Sequence, residues 1–242
     1  MELWHGYQID RFEFEGRDAV VVIPKVACAG RHFAHKTEYW DAFPEAAQLG
    51  LLERGYHLCH VRNEHRWGSA DQIERQARFI CHVREKYNLA EKCTLVGMSC
   101  GGLQAIKLAA QYPELVSALY LDAPVLNYMS CPCSFGVGDS GIPVDEVLKA
   151  LKLESISQLL SYRDMPLDKL PQLVSHEIPV VMVAGDSDRV VPYVENGILL
   201  EEAYRKAGLP FECYIKPGCD HHPHGLEDPV PVLDFIIRYD VK

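Results

Sequence analysis

The chain contains no stretch of about 18 uncharged apolar residues, so nothing in it reads as a membrane-spanning helix. It begins Met1-Glu2-Leu3-Trp4-His5, without the basic segment followed by an apolar one that marks a secretory leader. Basic residues are in deficit, 24 Lys and Arg against 34 Asp and Glu, and the formal charge is −10 with no basic block to offset it. A phosphate backbone would meet net repulsion, which excludes a counterion-driven nucleic-acid partner. Regularly paired cysteines are also lacking. The nine present are odd in number and scattered, and Cys59, Cys81 and Cys93 sit inside apolar segments, a pattern of reduced, buried thiols and not of a disulfide framework. Internal repeats and long low-complexity tracts are absent. The expectation is a soluble, cytoplasmic protein with no nucleic-acid or membrane partner; nothing in the pattern bears on oligomeric state.

What is present is a chain of 242 residues, 48% of them apolar, enough for one substantial core. Near-continuous apolar runs at residues 18–25, 56–62, 93–98, 116–122 and 178–185 predict strands of a sheet covered on both faces. Between them, residues 40–54, 70–87 and 101–112 carry apolar side chains three and four apart and predict helices. The alternation predicts an α/β fold with a doubly wound, mostly parallel sheet. Residues 6–15 alternate as an antiparallel edge hairpin would, and a helix (194–207), a strand (211–216) and a second helix (229–239) close the chain. Residues 124–176 break the rhythm: rich in Cys, Pro, Gly and Ser at first, then helical around 144–162. We expect one domain over 1–242 with 124–176 as a lid or cap insertion, where Tyr128, Met129 and Phe135 are candidates either to line a pocket or to belong to the core.

Gly97-Met98-Ser99-Cys100-Gly101 follows a predicted strand and opens a predicted helix, the setting of a nucleophile elbow. Glycines on both sides let the backbone turn sharply around Ser99, and Gly102 extends that room. The amide of Cys100 would stand at the helix amino terminus, where an unpaired N–H can stabilise a developing oxyanion. The Cys100 thiol itself is expected to pack under the loop.

A serine hydroxyl needs a base to take its proton and a carboxylate to orient that base. After the strand at 178–185 comes Gly185-Asp186-Ser187-Asp188, where either aspartate could serve, although loop capping is the commoner role of such residues. After the strand at 211–216 comes Pro217-Gly218-Cys219-Asp220-His221-His222-Pro223-His224, with three histidines where one base is needed. Cys213, Cys219, His221, His222 and His224 invite a metal reading, but their spacing matches no paired ligand motif, and the chemistry calls for no metal and no cofactor.

These residues and their order resemble the α/β-hydrolase superfamily over nearly the whole chain. The resemblance implies Asp188 as the acid, from its place three residues past Gly185 and shortly before Val191-Pro192, and His221 as the base, from the Gly218-Cys219-Asp220-His221 turn. It implies a second oxyanion donor from the loop after an early strand, placed at the Arg31 amide within residues 26–33, beside that of Cys100. The segment 216–226, with Asp228-Pro229 beyond it, also resembles an uncharacterised group of bacterial hydrolases, some similar to esterases acting on decorated carbohydrates. That group would carry tryptophans and an arginine where this chain has Phe33, His35 and Lys36, and an arginine at position 100. The expected function is a serine hydrolase acting on a small-molecule carboxylic ester, possible acylated carbohydrates included; a small peptidase or amidase of the same fold and a non-catalytic ligand-binding protein are the alternatives. Serine at position 99 excludes the carboxylate nucleophile of haloalkane dehalogenases, and Cys100 stands one place too late for a thiol nucleophile.

Overall fold

Val20, Val21 and Val22 are all buried, yet alternate side chains along this strand join two different cores. That is the signature of a sheet with helices on both faces, because successive Cβ atoms point to opposite sides. The fold was analysed in a computed structural model that describes residues 2–42 and 45–240. Among the described residues nine strands form one sheet: β1 (Leu3–Trp4), β2 (Tyr7–Phe14), β3 (Arg17–Ile23), β4 (Phe33–Lys36), β5 (His57–Val61), β6 (Cys93–Met98), β7 (Val116–Asp122), β8 (Val180–Gly185) and β9 (Phe211–Lys216). Their order across the sheet is β1-β2-β3-β5-β4-β6-β7-β8-β9. The first three form an antiparallel edge, and β5 through β9 in that order run parallel.

On one face α2 (Ala70–Tyr87), α3 (Cys100–Gln111), α6 (Leu170–Ser175) and α7 (Gly197–Ala207) bury Ile73, Phe79, Ile80, Leu108, Leu173 and Leu200 against Val21, Leu95 and Met182. On the other, α1 (Glu45–Glu53) and α8 (Val230–Asp240) bury Leu51, Leu52, Leu233 and Phe235 against Val22, Val96 and Val183. The helix expected over 40–54 is shorter at its start: Tyr39 to Ala42 form a turn, with the Ala42 amide donating to the Tyr39 carbonyl at 3.0 Å, and positions 43 and 44 lie outside the described residues. No helix among the described residues is long and apolar enough to cross a membrane, and all nine cysteines are free.

Residues 124–176 run between β7 and β8 and carry α4 (Val144–Ala150) and α5 (Ile156–Ser161) before α6. Val125, Tyr128, Cys131, Val147, Leu159 and Met165 form a third core that closes on Trp67, Cys100 and Leu103. Tyr128 is therefore core and not pocket lining: it is fully buried, and its hydroxyl donates to the Trp67 carbonyl at 3.0 Å. Phe135 stays exposed.

Two strands have no counterpart in the expectations, the two-residue β1 and the buried β4. Phe33–Lys36 ends in a histidine and a lysine, both buried in the middle of the sheet. The burial is tolerable because each finds partners. His35 Nε2 lies 2.9 Å from Gln76 Oε1, while Lys36 Nζ donates to the Trp40 carbonyl at 3.3 Å, to Gln48 Oε1 at 3.0 Å and to the Ala42 carbonyl. Burial depresses the Lys36 ammonium to about 7.

The same desolvation lowers His35 to about 4, His57 to about 4 and His60 to about 3. In the unfolded chain these groups take up protons near pH 6.5, so between that pH and about 4 the unfolded state binds protons that the folded state refuses. Stability must then fall as pH falls through this window. We expect the urea midpoint to drop steadily from pH 6.5 to 4 and to drop less in His60→Asn; a flat profile over that range would contradict the burial of neutral imidazoles.

Candidate active site

β6 ends at Met98 and α3 begins at Cys100, which leaves a single residue to reverse the chain. Ser99 does so at φ 51° and ψ −123°, in the left-handed half of the map that non-glycine residues rarely occupy. Three backbone bonds hold it there: the Ser99 amide donates to the Asp122 carbonyl at 2.9 Å, and the Ser99 carbonyl accepts from Gly102 at 2.9 Å and Val125 at 3.0 Å. A Cβ on Gly97 would stand 2.7 Å from the Gly101 carbonyl oxygen, and one on Gly102 would stand 2.4 Å from Pro124 Cβ. These glycines are required by close approach.

Parallel strands bring the loops after β6, β8 and β9 to the same end of the sheet. Asp188 follows β8 and is buried; its Oδ1 accepts the amides of Val190 and Val191 at 2.9 and 2.8 Å, which fixes the carboxylate and leaves Oδ2 free. His221 follows β9, with Nδ1 2.7 Å from Asp188 Oδ2 and Nε2 3.1 Å from Ser99 Oγ. A carboxylate can only accept, so Nδ1 carries the proton and the Nε2 lone pair faces the serine hydroxyl. Asp186 instead caps the turn before His221: its Oδ1 accepts from the Gly218 amide at 2.7 Å and the Ser187 hydroxyl at 2.9 Å. Asp220 ties the two loops together by accepting the amides of Arg189 and His221, and these bonds hold its carboxyl below the usual range.

Of the other two histidines, His222 is exposed, whereas His224 is buried with Nδ1 2.5 Å from Asp122 Oδ1. The second Asp122 oxygen accepts the Gly225 amide at 2.6 Å. This second His–Asp pair was not anticipated. Its one signal in the sequence is a carboxylate ending the otherwise buried run VSALYLD. Cys100 is buried, and burial pushes its thiol up to about 11, so it packs under the loop as expected. Its amide is the first of α3 and has no carbonyl to receive it within the helix.

Arg31 is a correction. It precedes β4, where its carbonyl accepts from Ala90 in the turn just before β6, while Ser99 stands past the other end of that strand. A strand of six residues at about 3.3 Å each puts roughly 20 Å between the two. The Arg31 side chain donates to the carbonyls of Tyr87 and Asn88 at 2.7 Å. Because β4 was not foreseen, the loop before it was taken for the loop after it. The loop at Ser99's end is 37–42: the Thr37 hydroxyl donates to the Gly101 carbonyl at 2.7 Å, and Tyr39 holds a left-handed φ of 56°. Beside it, Glu38 Oε2 accepts from Gln104 at 2.7 Å and Asn63 at 2.9 Å, and burial raises its carboxyl.

The family model described as the alpha/beta hydrolase fold matches residues 33–137. The acylamino-acid-releasing enzyme of Mus musculus is 27% identical over 145 residues, 57% of this chain and 19% of that enzyme. Est1E from Butyrivibrio proteoclasticus superposes with a TM-score of 0.70 at 17% identity, covering 97% of this chain and 99% of its own. Porphyromonas gingivalis dipeptidyl peptidase 4 superposes with a TM-score of 0.71 at 15% identity, covering 96% of this chain and 35% of its own. The chain thus spans about a fifth of the mouse relative, about a third of the peptidase structure and nearly all of Est1E.

The close approach at the elbow is directly testable. Gly102→Ala is expected to destabilise the fold by about 1–3 kcal/mol through overpacking against Pro124, read as a lower urea midpoint; an unchanged midpoint would contradict the packing described.

Proposed function

The chain is an α/β-hydrolase-fold protein, and on that premise we propose that it is a serine hydrolase that cleaves a carboxylic ester through an acyl-enzyme on Ser99. The observation that carries the reading is the continuous relay from Asp188 through His221 to Ser99, at 2.7 and 3.1 Å. Ser99 Oγ attacks the ester carbonyl carbon while His221 Nε2 takes its proton, and Asp188 stabilises the imidazolium that results. The tetrahedral intermediate expels the alcohol, which leaves with the proton from His221. Water then attacks the acyl carbon with His221 as base, and the carboxylic acid departs as Ser99 recovers its proton.

The negative charge on the intermediate falls to the Cys100 amide at the amino terminus of α3. The second donor is assigned to the loop 37–42, which takes the place of residues 26–33 in this role. Acylated carbohydrates are the first natural substrates to screen, on the resemblance of residues 216–226.

The match to Est1E over 97% of this chain and 99% of its own supports the fold of the reading and its size as a single unit. A peptidase reading has support of its own in the mouse relative at 27% identity. Turnover of p-nitrophenyl acetate against acetyl-alanine p-nitroanilide separates the two. We expect the ester to be hydrolysed and the anilide not, with Ser99→Ala and His221→Ala inactive and Asp188→Asn reduced in kcat by roughly 10⁴-fold. Faster turnover of the anilide would replace the ester reading with the peptidase one, and full activity in Ser99→Ala would refute both.

A further inference from the structure

The proposed relay uses one histidine of the segment 221–224, and the other two stand against it. The ring centres of His221, His222 and His224 are 5.0, 4.7 and 4.8 Å apart pairwise, and the rings cross at 74°, 81° and 82°. Each ring offers a ligand nitrogen within 4.8 Å of those of the other two. With Zn–N bonds of about 2.0–2.1 Å, three imidazoles radiating from one zinc ion have ring centres roughly 4.5–5.5 Å apart. Their nitrogens then lie about 3.3 Å from one another, so the set needs a modest ring rotation to close. His222, being exposed, is free to make it.

The surroundings match a metal site more closely than the sequence spacing does. Buried carboxylates engage Nδ1 of His221 (Asp188, 2.7 Å) and of His224 (Asp122, 2.5 Å). A carboxylate behind the ring fixes the tautomer, leaves Nε2 as the donor and raises its basicity, which is how histidine ligands of zinc are commonly supported. Asp122 is itself anchored by the Gly225 amide. Neither Cys213 nor Cys219 belongs to the group among the described residues, so the donor set is three nitrogens. Neutral imidazoles favour zinc and its transition-metal neighbours over magnesium or calcium, which prefer oxygen.

We infer that His221, His222 and His224 form a zinc-binding site whose occupation inhibits the hydrolase. The cause is competition for one electron pair. The Nε2 lone pair that faces Ser99 Oγ at 3.1 Å is the pair a zinc ion would take, and once it is donated no base remains to accept the serine proton. The inhibitory half of the inference rests on the serine-hydrolase reading; the binding half does not.

The experiment reads the two halves separately. Metal binding is followed on chelator-stripped Ser99→Ala protein by cobalt absorption and by zinc competition with a chromophoric chelator. Inhibition is followed as the rate of fluorophosphonate labelling of Ser99 in wild type, with and without zinc. One zinc ion per chain is expected. At about ten times its dissociation constant it should slow labelling roughly tenfold by mass action, with EDTA restoring the rate and magnesium having no effect. Asp122→Asn should weaken binding by roughly 10–100-fold, and His222→Ala by more, each labelling rate being compared with that variant's own metal-free rate.

Absence of stoichiometric binding would overturn the inference. So would binding that survives His222→Ala undiminished, which would place the ion elsewhere, or binding that leaves labelling untouched. Failure of metal-free wild type to label would count instead against the hydrolase reading, and cobalt absorption would still decide the site.

Discussion

A central strand of a parallel sheet is held on both sides by ladder hydrogen bonds, and its chain can turn into a covering helix only where those bonds end. At Ser99 the turn is made in one residue, and the strained conformation survives because its neighbours leave no alternative. Its amide is bound to Asp122 at the end of the adjacent strand, its carbonyl to Gly102 and Val125, and three glycines keep side chains out of the contact. The hydroxyl is thereby fixed at the carboxyl end of the sheet, where the loops carrying Asp188 and His221 also end. Asp122 serves twice, holding Ser99 through its carbonyl and the loop that carries His221 through its carboxylate and His224.

Polar burial is concentrated beneath this site. His35 and Gln76, Lys36 and Gln48, and Glu38 with Gln104 and Asn63 replace apolar packing with hydrogen bonds under the loop 37–42. Such networks cost desolvation, and in this one the Gln48 Nε2 donor is buried without a partner among the described residues. Here the loop that closes over the elbow is tied through Lys36 to two of its own carbonyls and through Thr37 to α3. Rigidity at this loop is what the proposed oxyanion-binding role requires.

Much of this was legible in the sequence wherever a segment is apolar and periodic. The five core runs and the helices at 70–87 and 101–112 follow from residue type alone, as does the elbow, whose glycines and serine must stand together to make the turn. Phe33–Lys36 was not legible, because a strand of four residues half composed of His and Lys carries no apolar run. Its burial depends on Gln76 and Gln48, which are distant in sequence, and the misplacement of Arg31 followed from that one omission. The separation of Asp188 from Asp186, and of His221 from His222 and His224, comes from family resemblance; in the structure Asp186 caps the Gly218 turn, His224 pairs with Asp122 and His222 is exposed, while Asp188 and His221 alone line up with Ser99. For Tyr128 the sequence leaves pocket lining and core both open, because an aromatic in an insertion has no visible partner; in the structure it packs against Trp67 and Tyr162.

The central claim is that Ser99 becomes acylated during turnover. Acid quenching of the protein within the first turnover of p-nitrophenyl acetate, followed by peptide mass analysis, tests it most directly. The account predicts an acetyl group on the peptide carrying Ser99, formed in wild type and lost in Ser99→Ala. Turnover with no acyl adduct at Ser99, or an adduct on another residue, would contradict it.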